Sequence, residues 1–153
     1  MPSTTREVEV RAQPGEVFRF LGDPTNLVRW WPRVVRVEAV EGQSGEEGLI
    51  WTNVVEADSG RRLRLDYRMV DSDRASRLCW EHLLEGTAFS GHLVRQAVEV
   101  ELSDAPEGTR VAVTAIGELK GAARLAGPSL KSDQKKLLDE ALGRLSEALE
   151  DAP

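Results

Sequence analysis

The stretch LLDEALGRLSEAL at residues 137–149 decides the fold of this chain. Within it Leu138, Leu142, Leu145 and Leu149 recur at intervals of four, three and four residues, the spacing of an amphipathic α-helix. The apolar face of such a helix must pack on another apolar surface. The sequence offers one such surface, a sheet predicted over residues 34–119, so we expect the closing helix to lie across one face of that sheet.

Strands with alternating polar and apolar residues occupy most of the chain ahead of this helix. A first strand is predicted over residues 4–10, followed by two short helices that begin at Pro14 and at Pro24, the second capped by Asp23. The six further predicted strands cover approximately residues 35–39, 49–56, 62–69, 76–84, 90–103 and 109–119. Short connections make these strands sequential and antiparallel. The sequence therefore predicts an α+β fold with a curved sheet of about seven strands, and a break near Gly127-Pro128 in the final helical region.

Length, charge and cysteine content restrict the class of protein. A chain of 153 residues is expected to form one domain, here residues 1–153, and a net charge of −6 argues against general nucleic-acid binding. No apolar run approaches the roughly 20 residues of a membrane span, and the first residues lack the apolar core of a signal peptide. A single cysteine, Cys79, cannot form an internal disulfide. We therefore expect a cytoplasmic protein, either a monomer or a homodimer.

Two histidines are the sharpest local feature. By alternation His82 shares a strand face with Trp80, and His92 shares a face with Gln96. If the hairpin between these strands is centred on Thr87, the two imidazoles lie opposite each other and point inward. Such a pair suits general acid/base chemistry, and we find no third residue with suitable spacing for a metal. The alternatives are histidines on the wet rim of the sheet, or a register shifted by one residue.

Several stretches of the chain resemble one known superfamily. The segment VEVRAQPGEVF at residues 8–18 resembles its opening strand and first helix. DPTN at 23–26 with WWPRV at 30–34 resembles its "D..n...W.P.v" segment, and EGTRV at 107–111 resembles the start of its last strand. Together with the leucine-rich end, these stretches resemble the helix-grip fold of the START/Bet v1-like (SRPBCC) superfamily, in its bacterial polyketide cyclase/dehydratase and lipid-transport branch. The resemblance covers nearly the whole chain.

This resemblance implies a hydrophobic cavity between the sheet and the closing helix, with a small hydrophobic ligand and no metal or other cofactor. We expect His82 and His92 to supply catalysis, assisted by Tyr67. The residues expected to bind the ligand are Trp30, Trp51, Asn53, Leu65, Met69, Trp80, Phe89, Val94, Gln96 and Leu130. Aromatic-cyclase members of the branch commonly carry an inward arginine on the fourth strand. Here alternation turns the arginines of that strand outward, which argues against cyclisation of that kind.

Three functions remain open from the sequence. The first is binding of a small hydrophobic or polycyclic metabolite, either as a polyketide cyclase/dehydratase-like enzyme or as an accessory protein. The second is a non-catalytic lipid or quinone carrier, in which mutation of both histidines leaves binding intact. The third is an interaction module that works through an edge strand or through the arginine face formed by Arg62, Arg64, Arg68 and Arg77. A solvated outer sheet face is the plainer account of those arginines.

Overall fold

The computed structural model describes residues 3–150. The strands are β1 (Ser3–Val10), β2 (Val34–Glu41), β3 (Ile50–Glu56), β4 (Arg62–Asp73), β5 (Arg77–His82), β6 (Leu93–Ala105) and β7 (Gly108–Leu119). The helices are α1 (Pro14–Gly22), α2 (Leu27–Trp30) and α3 (Gly127–Glu150). Short 3₁₀ helices cover Pro24–Asn26, Ala88–Gly91 and Gly121–Ala126. This order is the predicted α+β helix-grip fold.

The seven strands form one antiparallel sheet in the order β1-β7-β6-β5-β4-β3-β2. Strands β2 to β7 follow one another through short connections, whereas α1 and α2 carry the chain from β1 to the opposite edge. Strand β1 then pairs with β7 over its full length, from Ser3 opposite Ile116 to Val10 opposite Thr109. The first strand also contacts the last helix, because α3 packs mainly on β1.

The leucine stripe of α3 faces the sheet as predicted. Leu138 and Leu145 are fully buried, and Leu142 and Leu149 are 5% exposed. Two polar contacts fix the position of the helix against β1. The Thr4 hydroxyl donates to Gln134 Oε1 at 3.1 Å, and Arg6 Nε lies 3.2 Å from an oxygen of Asp139.

The helix boundaries follow from proline and capping. Pro14 occupies the first turn of α1, where its missing N–H costs nothing. Asp23 Oδ1 accepts a hydrogen bond from the backbone N–H of Thr25, which caps the 3₁₀ turn ahead of α2. The predicted break at Gly127-Pro128 is the junction where the 3₁₀ helix ends and α3 begins, so the proline again lies in a first turn.

The outer face of β4 carries the predicted arginines. Arg64 pairs with Glu38 at 2.7 Å, Arg62 lies 3.5 Å from Glu56, and neither side chain enters the space beneath α3. The inward residues of the strand are Tyr67 and Met69. The structure therefore confirms that the fourth strand has no inward arginine.

Candidate functional site

A cavity of about 530 Å³ lies between the inner face of the sheet and the N-terminal half of α3. Strands β4, β6 and β7 form its floor, and the loop after α2 and the β3–β4 turn form part of its rim. Aliphatic and charged side chains both line it, and the charged ones are Arg33, Asp58, Asp133, Lys136 and Glu140. The aliphatic lining residues are Leu93, Ala97, Val98, Ala115, Ile116, Leu130 and Leu137. The volume is within the range of roughly 300–1,000 Å³ that is typical of small-molecule sites.

The cavity exists because the inward side chains of β7 become smaller along the strand. They run Val111, Val113, Ala115, Gly117, and all four positions are buried. The two valines are fully buried in the core, whereas the alanine and the glycine line the cavity. A Cβ atom on Gly117 would lie 2.9 Å from Leu130 Cδ2, so the glycine also lets α3 approach the sheet at this point.

Three side chains place polar groups at the inner wall. Tyr67 and Gln96 line the cavity, and His82 lies directly behind them. His82 Nδ1 is 3.1 Å from Gln96 Oε1, and the imidazole stacks on the Tyr67 ring with centroids 5.1 Å apart. Gln96 and His82 face each other because the register of β5 and β6 sets Glu81 opposite Ala97. The wall therefore presents a phenol and an amide, and an imidazole behind the wall contacts both.

Burial sets the protonation of this group. It raises the pKa of the Tyr67 phenol far above its ordinary value of 10, so the hydroxyl keeps its proton. Burial also lowers the pKa of His82, although the Gln96 hydrogen bond and then Asp66 oppose that shift. At neutral pH the site consequently offers a neutral imidazole and a protonated phenol.

An arginine stands at the rim of the cavity. Arg33 follows Pro32 and has φ +71°, a left-handed conformation that is uncommon for a residue other than glycine. Its guanidinium lies 2.7 Å from Asp58 Oδ1 on the β3–β4 turn, and both residues line the cavity. This ion pair joins the two rim segments to each other, and it is largely solvent-exposed.

The predicted pairing of the two histidines is wrong. His82 is 5% exposed and its neighbour on β6 is Gln96. His92 is exposed and lies outside the strand, immediately after the 3₁₀ helix Ala88–Gly91. The strands are not joined by a hairpin centred on Thr87. Instead Thr87 caps that 3₁₀ helix, and the resulting loop is long enough to displace His92 from the sheet.

Val94 also differs from its prediction. A bulge between Leu93 and Arg95 disrupts the alternation at the start of β6. Val94 is consequently 54% exposed, and Leu93 lines the cavity in its place. Of the residues predicted to bind a ligand, Gln96 and Leu130 line the cavity, as does the predicted catalytic Tyr67.

The other predicted ligand residues lie in the core beside the cavity. Trp30, Trp51, Asn53, Met69 and Trp80 are at most 3% exposed, and none of them lines the cavity. Trp30 meets Trp80 edge-on with centroids 6.4 Å apart, and Trp51 stacks on Tyr67 at 6.0 Å. Trp51 Nε1 donates to Asn53 Oδ1 at 3.1 Å. These aromatic and polar residues fill the core beside the cavity, and Trp51 packs against the Tyr67 ring.

Two predicted ligand residues are partly buried at the edge of this core. Leu65 packs against it from β4. The Phe89 ring lies 5.4 Å from the His82 ring and covers the imidazole from the loop side. Neither residue lines the cavity, and Phe89 instead limits the access of water to His82.

Sequence reasoning missed Arg33, Leu93 and Gly117. The decrease in size from Val111 to Gly117 was visible in the sequence and marks the open half of the sheet. No local pattern indicates the rim position of Arg33, since it depends on how the loop after α2 meets the β3–β4 turn. Within residues 3–150 there is no group of three or more His, Cys, Asp or Glu side chains arranged to hold a metal.

The family model for polyketide cyclase/dehydrase and lipid transport matches residues 1–150. The chain therefore belongs to this family, which has the SRPBCC-type ligand-binding fold. No curated protein matches the sequence. None of the helices described in residues 3–150 is both long and apolar enough to cross a membrane.

Solved structures share this fold at low sequence identity. A START superfamily protein from Mycobacterium smegmatis is 16% identical, with 97% of each chain covered and a TM-score of 0.75. A protein from Thermobifida fusca is 22% identical over 97% of this chain and 93% of its own, with a TM-score of 0.68. The di-domain ARO/CYC StfQ from the steffimycin biosynthetic pathway is 11% identical, and this chain matches 50% of it with a TM-score of 0.74.

Proposed function

We propose that this protein binds a small hydrophobic or polycyclic metabolite in the cavity beneath α3, with the polar end of the ligand against Tyr67 and Gln96. The observation that carries the proposal is the cavity itself, about 530 Å³, whose lining includes seven aliphatic residues and the adjacent polar side chains of Tyr67 and Gln96. Aliphatic side chains bury the apolar part of a ligand, and a few placed polar groups fix its orientation. The family assignment and the ARO/CYC neighbours support the same class of ligand.

The inner wall suits weak acid/base chemistry on such a ligand. A protonated Tyr67 donates a hydrogen bond to a carbonyl oxygen and stabilises the negative charge that forms there on enolisation. His82 lies behind Gln96 and remains neutral, so in the enzymatic form its imidazole accepts the proton removed from the ligand through one intervening water. Enolisation followed by aldol closure needs mainly a shaped cavity and one modest base. We therefore propose a polyketide cyclase/dehydratase-like reaction as the enzymatic form of this function.

A non-catalytic lipid or quinone carrier is the second candidate. The observation that favours it is the position of His82, which contacts Gln96 and Tyr67 but does not line the cavity. A carrier requires only the apolar wall and one or two hydrogen-bonding groups. The two candidates share one binding site and differ in whether the bound molecule is changed.

Native mass spectrometry of the protein purified from its own host tests the binding proposal. Release and identification of a bound polyketide, quinone or lipid is the expected result. An empty protein that also fails to bind 1-anilinonaphthalene-8-sulfonate, oleate or a menaquinone would refute both candidates and favour an interaction module.

Variants of Tyr67 and His82 separate enzyme from carrier once the molecule is identified. Tyr67→Phe removes one hydroxyl, and His82→Phe keeps the stacked ring while it removes the base. An enzyme loses turnover by roughly 10²-fold or more on loss of an acid or base while it still binds. A carrier retains binding in both variants and converts nothing. His92→Phe is the matched control, because it removes the exposed histidine from outside the cavity.

A further inference from the structure

The lysines of this chain are concentrated in one segment. All four of them, Lys120, Lys131, Lys135 and Lys136, lie within residues 120–136, and every other basic side chain is an arginine. With Arg124 the segment holds five cations and one carboxylate, Asp133, in a chain whose net charge is −6. The segment is therefore a local region of positive charge on an acidic protein.

These five cations also differ in their contacts from most of the arginines outside the segment. Ten of the fifteen arginines outside the segment form ion pairs within the described residues, as Arg77 does with Asp71 at 3.1 Å and Arg110 with Glu9 at 3.0 Å. No cation of residues 120–136 lies within 4.0 Å of a carboxylate among the residues that the structure describes. Their charge is therefore not neutralised by the fold itself.

An apolar side chain projects from the same segment. Leu125, on the 3₁₀ helix ahead of α3, is 88% exposed, the most exposed of the large apolar residues in the described chain. Its neighbours Ala122, Ala126 and Pro128 are exposed as well. The segment continues into the wall of the cavity, since Leu130 and Lys136 line it.

We propose that residues 120–136 dock on the surface of an anionic phospholipid bilayer, with Leu125 inserted among the acyl chains and the lysines at the headgroups. A projecting apolar side chain among unpaired cations matches the charge and depth profile of a bilayer surface. An acidic protein partner fits less well, because lysine is depleted at protein–protein interfaces and a lone leucine forms no apolar patch. Docking in this way brings the wall of the cavity next to the bilayer.

Co-sedimentation with vesicles tests the charge part of this proposal. The full chain is expected to bind vesicles of equal parts phosphatidylglycerol and phosphatidylcholine and to bind phosphatidylcholine alone weakly. Binding should fall when salt is raised from about 0.1 M to about 1 M, which shortens the screening length from about 10 Å to about 3 Å. Each lysine near the surface contributes about fivefold in affinity, so K131Q/K135Q should bind about thirtyfold more weakly.

The matched control is R62Q/R110Q, which removes the same charge from paired arginines on the outer sheet face. It should change binding less than twofold. Leu125→Ser should weaken binding at least about tenfold through the lost apolar burial, whereas Val40→Ser, at another exposed apolar site, should not. Circular dichroism confirms that each variant is folded.

Equal binding to both vesicle types would overturn the proposal. An equal loss of vesicle affinity in K131Q/K135Q and R62Q/R110Q would overturn it as well. Salt-dependent binding to polyglutamate that exceeds binding to the anionic vesicles would also overturn it, in favour of an acidic protein partner. None of these outcomes bears on the ligand in the cavity, because the vesicle measurement uses no ligand. Failure of docking and failure of the proposed function are therefore separate results.

Discussion

Two adjacent leucines of α3 serve different parts of the molecule and should respond differently to truncation. Leu138 is fully buried in the core, whereas Leu137 is partly buried and lines the cavity. Leu138→Ala removes a closely packed side chain and leaves a void, so we expect it to lower the free energy of unfolding by about 3–4 kcal/mol. Leu137→Ala removes a side chain that already borders open space. Leu137→Ala therefore loses only the free energy of transferring its side chain from water, and only for the roughly half of that side chain that is buried. The expected loss of unfolding free energy is about 1 kcal/mol.

Urea unfolding followed by tryptophan fluorescence measures both costs, because a shift of the midpoint at constant slope reports stability alone. Binding of 1-anilinonaphthalene-8-sulfonate supplies the second readout. Leu137→Ala removes an apolar contact from the cavity and should weaken the dye by about fivefold, the equivalent of about 1 kcal/mol. Leu138→Ala, measured well below its unfolding midpoint, should change dye affinity less than twofold.

Equal destabilisation by the two variants would refute this reasoning, since it would place Leu137 in the packed core. Unchanged dye affinity in Leu137→Ala, together with the expected stability loss, would show that the dye binds elsewhere.

Three further predictions concern single residues. Burial lowers the pKa of His82 in the folded state, so the unfolded chain binds a proton first as the pH falls. The neutral His82 contributes its full stabilisation above its ordinary pKa of 6.5, and that contribution is lost as the pH falls through its pKa in the folded protein. Urea unfolding at a series of pH values should show this loss of unfolding free energy in His92→Phe but not in His82→Phe. Burial, and secondarily Glu99, raises the pKa of the Cys79 thiol to about 11, so Ellman's reagent should label Cys79 only after unfolding; rapid labelling of the native chain would contradict its burial. Gly117→Leu should place a side chain against Leu130 and abolish dye binding while circular dichroism stays unchanged; undiminished binding would show that the floor of the cavity lies elsewhere.

The fold was predictable because its signals are periodic. Alternation predicted that Trp51, Tyr67 and Trp80 lie on the inner face, and the leucine spacing predicted that α3 packs on the same face of the sheet. Periodicity does not fix register across a loop, and this is where the histidine prediction fails. The pairing of His82 depends on the 3₁₀ helix Ala88–Gly91 and on the bulge at Leu93, which no alternation pattern contains.

The sequence also could not show which inward side chains of the sheet line the cavity and which are packed in the core. Trp51 and Trp80 point inward as predicted, but α2 places Trp30 against Trp80 and fills the space between them and the helix. Whether an inward side chain borders a cavity depends on what packs against it from another element. Tyr67 lies at the boundary, with Trp51 on one side and the cavity on the other.

This boundary divides α3 as well, and the division explains how one helix can both hold the fold together and cover a cavity. The C-terminal half carries Leu142, Leu145 and Leu149, which are buried in the hydrophobic core and supply stability. The N-terminal half lies beside the cavity lined by Ala115 and Gly117, and fewer of its apolar side chains are buried. Local opening of a helix costs least where few apolar contacts hold it. If the cavity binds a ligand as proposed, we expect the ligand to enter beneath the half of α3 that begins with residues 127–136, next to the lysine-bearing surface, while the leucine stripe keeps the rest of the helix in place.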